Sequence, residues 1–343
     1  MKNVRAVNSS TPQALEEIAT CDIMATAVGV NVLPKIAPVI AEGVKKRMRE
    51  SGRPLDIILC ENQLEADVLM RGWINECLND EEKAWAEKNL GLVEASIGRM
   101  VPPLTAEEKA KDSLLICVEP YCQLPVDKAA FKGEIPEIRN MVPFAPFDFY
   151  IKRKLYIHNM GHATCAYLGD LLGYEYIYQS IDVPEIRVLV QNAMLESAVA
   201  LHKKYDVELG GIVLHIQDLL HRFTNAALKD TCARVGGDPG RKLSPADRLI
   251  GSASLAIAQG ETPAYIAVGA AAGLRRYIAE AEGMEQGMDS AKKVLKEVSE
   301  LDEGSKLAAM ILEMYALILE GKTIRELLKA ADEVKAAAAC RVI

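Results

Sequence analysis

Apolar positions in the first sixty residues fall into two short runs separated by an amphipathic stretch. Residues 21–28 are mostly apolar and end in Gly29, residues 32–49 repeat apolar positions with a helical period and a basic last turn, and residues 55–60 are again a short apolar run. Strand, helix, strand in that order predicts a right-handed crossover and a parallel sheet. Residues 63–145 are mixed. Helices are expected at 64–78 and 80–89, the second opened by an acidic first turn, and strands near 92–100 and 114–118. Pro143, Phe144, Pro146 and Phe147 mark a passage. Beyond it the pattern is helical throughout, at 147–172, 183–205, 209–223, 225–235, 244–259, 263–281, 290–298, 305–320 and 324–340. The expected fold is α/β plus all-α: a parallel-sheet domain over 1–145, then a mostly α-helical domain over 146–343.

Composition narrows the partners. A chain of 343 residues has room for two domains. A net charge of −8 argues against nucleic acid or an anionic membrane surface as the main partner. No apolar run reaches the roughly 18 residues needed to cross a bilayer, and the opening residues have no signal-peptide core. Eight scattered cysteines with no Cys-x-x-Cys pair read as free thiols in a reducing cytoplasm. Five histidines without metal-ligand spacing predict no metal.

Candidate chemistry gathers in the stretch 147–162. Projected at about 100° per residue, Lys154, His162 and Asn159 fall near 0°, 80° and 140° on one helix, so all three can look into a single cleft. A lysine desolvated against apolar walls loses charge and becomes a general base able to take a proton from an alcohol. The asparagine amide can orient the reacting oxygen and the imidazole can bind a neighbouring hydroxyl. The same residues also suit an amphipathic helix with a solvated Lys-Arg-Lys face and a core histidine. Basic residues cluster further on, at Arg222, Arg234, Arg241 and Lys242; they read either as solvated loop-end charge or as a phosphate cradle, since guanidinium forks bind phosphate oxygens bidentately. Ala27, Val28 and Gly29, with Asn62 after the next strand, sit where a parallel sheet collects its ligands. Gly29 also fits a plain turn, and Asn62 a plain helix cap.

Lys154-x4-Asn159-x2-His162, running on into Ala163-Thr-Cys-Ala-Tyr-Leu-Gly169, resembles the signature of the polyol-specific long-chain dehydrogenases. The resemblance returns at Thr26-Ala-Val-Gly29, Cys60-Glu-Asn62, Met100-Val-Pro-Pro103, Arg222-Phe-Thr-Asn225, Arg234-Val-Gly236 and Arg241-Lys-Leu-Ser-Pro245, in the family's order. It implies an NAD-dependent oxidoreductase without a metal, acting on a sugar or polyol phosphate in the cytoplasm as a monomer or weak homodimer. Lys154 would be the base, Asn62 and Asn159 the oxyanion donors, and His162 a hydroxyl ligand. Arg234 and Lys242, with Arg241, would contact the substrate, and Ala27, Val28 and Gly29 the cofactor. One departure touches the motif around Met100, where the family's Asp-Arg pair is replaced by Gly98-Arg99.

The dinucleotide fingerprint Gly-x-Gly-x-x-Gly is absent, since no two glycines stand two positions apart. The resemblance therefore implies an incomplete Rossmann-like sheet, with residue 1 falling near the family's fourth strand and about two β–α units, roughly 60 residues, not represented. An exposed edge on the strand at 21–28 is expected in consequence. Two other readings stand beside the enzyme. One is a non-catalytic remnant binding a sugar phosphate or a partner; the other is a hexuronate reductase of the same family, which would need one bidentate arginine rather than several cations.

Overall fold

The computed structural model describes residues 4–102 and 104–340. The chain divides into two compact units, one of residues 1–99 with 119–151 and the other of residues 100–118 with 152–343.

The first unit opens with α1 (Pro12–Thr20), which precedes β1 (Met24–Thr26). Next come α2 (Leu33–Glu50), β2 (Leu55–Leu59), α3 (Ala66–Asn75), α4 (Asp80–Asn89) and β3 (Leu90–Glu94). The three strands form a parallel sheet in the order β1-β2-β3, Ile57 facing Met24 on one side and Leu92 on the other. Every residue of β2 is buried, as a central parallel strand covered on both faces requires. Its one carboxylate, Asp56, is satisfied by the backbone N–H groups of Lys132 (2.7 Å) and Gly133 (3.0 Å). Glycine at position 91 makes room for it, because a Cβ there would stand 2.0 Å from Asp56 Oδ1. The acidic opening expected for the second of these helices is a capping box between Asn79 and Glu82 at the start of α4.

β1 is an edge strand of only three residues with Ala25 exposed, and Val28 and Val30 beyond it are exposed as well. The edge anticipated at 21–28 is therefore present.

Residues 106–111 form the short α5 (Ala106–Lys111), and β4 (Leu124–Asp127) and β5 (Met141–Phe144) pair in parallel as a small second sheet. Residues 114–118, expected as a strand, form turn and irregular backbone, with Leu114 and Ile116 exposed. An apolar run of five residues does not by itself supply a neighbouring strand to pair with.

The second unit is helical. The division falls within α6 (Asp148–Arg153), which runs through a π-helical turn at Lys154–Asn159 into α7 (Met160–Leu171), most of whose residues are buried. Around it stand α8 (Ile177–Ile181), α9 (Pro184–Tyr205), α10 (Leu209–Phe223), α11 (Cys232–Gly236), α12 (Pro239–Lys242), α13 (Ile250–Ala258) and α14 (Ala264–Glu280). The chain ends with α15 (Met288–Glu297), α16 (Lys306–Leu319) and α17 (Ile324–Ala339). α7 packs against α9, α11 and α14, so the helix bearing the lysine motif is the centre of this unit. Two expected helices are interrupted. The stretch 225–235 breaks at Lys229, which adopts φ 50°, and 244–259 becomes turns before α13 begins.

Candidate active site

The π-turn shapes the lysine motif. Such a turn closes i→i+5 bonds, here from the N–H of Met160 to the carbonyl of Leu155, and π-turns concentrate at functional positions. Residues five apart therefore approach the same side of the helix, where a regular α-helix would set Lys154 and Asn159 about 140° apart. Both residues are half-buried. Burial holds the Lys154 amine below the ordinary lysine value, and the guanidinium of Arg248 lowers it further. That environment favours the uncharged amine, the form that accepts a proton.

His162 lies two residues into α7. Its ring stacks on Phe223 at 4.7 Å between centroids, and Nε2 stands 3.2 Å from Oδ2 of Asp230. Burial, followed by the charges of Arg234, Arg248, Arg222 and Lys242, pushes its pKa down to about 3, so the imidazole is neutral. His158, one turn back in the π segment, is buried and held well below the ordinary value, first by burial and then by His162 and Arg222. A small pocket is lined by His162, Phe223, Asn225, Asp230, Tyr178 and Met100. Three motifs far apart in sequence, around Met100, His162 and Phe223, thus meet there.

The basic residues are held by acids on the same loops. Arg234 is exposed and ion-paired with Asp230. Arg241 is shared between Asp238 (2.7 Å) and Asp247 (3.1 Å). Asp247 also accepts from Arg248 at 2.7 Å. Lys242, in contrast, is only 4% exposed; burial first, then Arg248 and Arg241, brings its pKa down to about 8. Arg222 is buried at the end of α10, 3.4 Å from Asp218.

In the first unit, Ala27, Val28 and Gly29 form an exposed loop at the carboxyl end of β1. Gly29 has φ 88°, and apart from its own chain neighbours nothing lies within 4 Å of where its Cβ would be, so a ligand can approach the backbone there. The loop is pinned from below. Glu61, buried after β2, accepts from the Val28 N–H (2.8 Å) and the Thr26 hydroxyl (2.5 Å). Asn62 is exposed, and the N-cap position of the following helix is Glu65. At the end of β3, Glu94 accepts from the Ala66 N–H at 3.0 Å, and burial raises its pKa to about 7.

Sequence reasoning missed Asp230, Asp247 and Arg248. Asp230 stands four residues before Arg234, a spacing that suggests an ion pair if a helix runs through both. That ion pair forms, and with the break at Lys229 the other carboxylate oxygen also reaches His162.

The chain thus combines a three-stranded parallel sheet in one unit with a helical unit that carries a half-buried lysine. The chain belongs to the mannitol dehydrogenase family: the model of its Rossmann domain matches residues 1–140, and that of its C-terminal domain residues 147–334. Among solved structures, D-sorbitol dehydrogenase in substrate-free form is similar with a TM-score of 0.72 and 17% identity, over 94% of this chain and 77% of its own. The ternary complex of Pseudomonas fluorescens mannitol 2-dehydrogenase with NAD and D-mannitol is similar with a TM-score of 0.64 and 16% identity, over 93% and 76%. At these identities the likeness is one of fold.

Proposed function

We propose that this chain is an NAD-dependent oxidoreductase that interconverts D-mannitol 1-phosphate and D-fructose 6-phosphate. The observation that carries the chemistry is the half-buried Lys154 amine, held below its ordinary pKa and set on a π-turn with Asn159. Family membership and the NAD seen with a structural neighbour support the cofactor. The proposed domains are 1–145 for the cofactor and 146–343 for the substrate. Ala27, Val28 and Gly29 would hold the dinucleotide, and the open backbone at Gly29 fits that task. NAD, when bound, supplies the acceptor for the hydride of the carbinol carbon.

The protein's own residues do the rest. Lys154 takes the hydroxyl proton during oxidation and returns it during reduction. Asn159 donates to the oxygen as its charge develops, a task worth about 3–4 kcal/mol for a well-placed donor, and Asn62 is the second donor that the family resemblance names. Neutral His162 binds an adjacent hydroxyl. Arg234, Arg241 and Lys242 contact the substrate. What supports a phosphate over a uronate is Lys242, a buried amine whose pKa Arg248 and Arg241 lower, although both guanidiniums are themselves paired with Asp247.

Lys154→Met tests the reading. Turnover of fructose 6-phosphate with NADH should fall by roughly 10²–10⁴-fold, the usual contribution of a general base, with NADH binding kept. Activity surviving in this variant would remove Lys154 from the mechanism.

A further inference from the structure

We infer that Asp230 is a positioning residue for His162: its carboxylate, set between the imidazole and Arg234, fixes which ring nitrogen carries the proton and hence which hydrogen bond the ring offers. The two carboxylate oxygens have separate partners. Oδ2 stands 3.2 Å from Nε2 of His162, and Oδ1 meets the Arg234 guanidinium. The His162 and Asp230 side chains are 14% and 12% exposed, so water competes little for either.

The backbone holds Asp230 in place independently of its side chain. Its carbonyl accepts from the Ile177 N–H at 2.9 Å, and the next residue, Thr231, bridges to Tyr176 and caps α11 by accepting from the Arg234 N–H at 3.1 Å. The ring is held too, by the stack on Phe223. With ring and carboxylate both fixed, a neutral imidazole places its proton on Nε2, where an acceptor waits. Nδ1 is left with a lone pair. A ring in this state accepts from a hydroxyl and does not donate to a carbonyl. Histidines whose tautomer is set by a carboxylate on the far nitrogen are a recurrent device for orienting the near one.

The consequence for substrate rests on the proposed dehydrogenase reading: the group facing His162 is a hydroxyl donor, as a polyol or ketose chain offers at each carbon beside the reacting one. The tautomer does not rest on that reading.

The test uses the full chain with ring-¹⁵N histidine and a long-range ¹H–¹⁵N correlation, with His162→Gln identifying the signal among the five histidines. A single Nε2–H tautomer for His162, losing its purity in Asp230→Ala and in the near-isosteric Asp230→Leu, neither of which has an acceptor, supports the inference. An Nδ1–H tautomer in the unsubstituted protein overturns it whatever the variants do, and so does a tautomer unchanged in whichever variants fold. The second arm is kinetic. Asp230→Leu should raise KM for the sugar phosphate roughly tenfold, about the share of one hydrogen bond to substrate, with kcat changed less than about threefold and partial rescue by Asp230→Glu. Equal loss in kcat, with KM unmoved, would contradict a positioning role. No turnover by the unsubstituted chain would sink the dehydrogenase reading while leaving the tautomer result to stand or fall alone.

Discussion

Arg248 donates from Nε to Oδ1 of Asp247 at 2.7 Å, while Arg241 takes the opposite oxygen of the same carboxylate at 3.1 Å. This pairing fixes a guanidinium that bears on the whole site, because Arg248 lowers the pKa of Lys154, His162 and Lys242 alike. A cation near an amine disfavours its protonation. Arg248→Met should therefore raise the Lys154 pKa toward the ordinary lysine value. The alkaline plateau of polyol oxidation would be reached at higher pH, with the rate at pH 7 several-fold lower and recovered above it. A pH–rate profile superposable on that of the unsubstituted protein would refute this.

Lys242 gives a pH dependence of the opposite sign. Its amine is charged below about 8 and loses charge above it. Phosphate binding should be strongest below pH 8 and weaken by up to about tenfold per unit above it, as the cation is lost. Lys242→Met should bind weakly and show no such step. Inorganic phosphate as a competitive inhibitor, followed from pH 7 to 9.5, measures both. The linkage to stability runs the same way for any buried lysine with a depressed pKa: the unfolded chain holds its proton more tightly, so stability rises between about pH 8 and the unfolded value near 10.4.

Arg47 makes a different kind of contribution. It is 1% exposed in α2, and its guanidinium donates to the carbonyls of Ala19 and Cys21 at the end of α1 (3.0 and 2.8 Å) and of Arg53 and Pro54 before β2 (2.9 and 2.7 Å). It is in effect the C-cap of one helix and a clamp on the next strand. Arg47→Met keeps the stem and leaves these carbonyls without a donor, at about 1–3 kcal/mol for each that water does not reach. Native-state hydrogen exchange should show α1 and the start of β2 opening at least tenfold more readily, with α7 unaffected. Unchanged protection in α1 would show that water replaces the guanidinium.

Periodicity made most of this architecture legible. α2, α4, α9, α10, α14, α16 and α17 fall where the apolar spacing puts them, and the two apolar runs before residue 60 are the parallel strands β1 and β2. Three things stayed hidden, each for a physical reason. The π-turn at Lys154–Asn159 leaves no mark in a 3.6-residue period, so a regular helix set Asn159 too far round. The break at Lys229 depends on a non-glycine residue entering left-handed backbone, which no local propensity announces, and Asp230, the next residue, meets His162. Asp247 and Arg248 fall within the helix expected at 244–259, which starts only at Ile250, so their pairing across a turn leaves no mark as spacing.

Glu196 tests whether a buried carboxylate in the helical unit carries part of the acid dependence of folding. It is 4% exposed in α9 and accepts from the N–H groups of Tyr265 (3.3 Å) and Ile266 (3.1 Å) at the start of α14, with Lys335 of α17 at 3.2 Å. Burial outweighs these partners and raises its pKa to about 7. The folded protein therefore keeps a proton that the unfolded chain releases near 4.3, so stability is highest at or below that pH and falls as pH rises to about 7, by about 3 kcal/mol. Above 7 both states are ionised and the loss is complete. Glu196→Gln keeps an acceptor for the α14 N–H groups but cannot titrate. Calorimetric unfolding between pH 4.5 and 7.5 should show the variant matching the unsubstituted protein at the acid end and at least as stable at pH 7. A variant markedly less stable at pH 7 would mean that the ion pair with Lys335 outweighs burial, and that the carboxylate is ionised throughout.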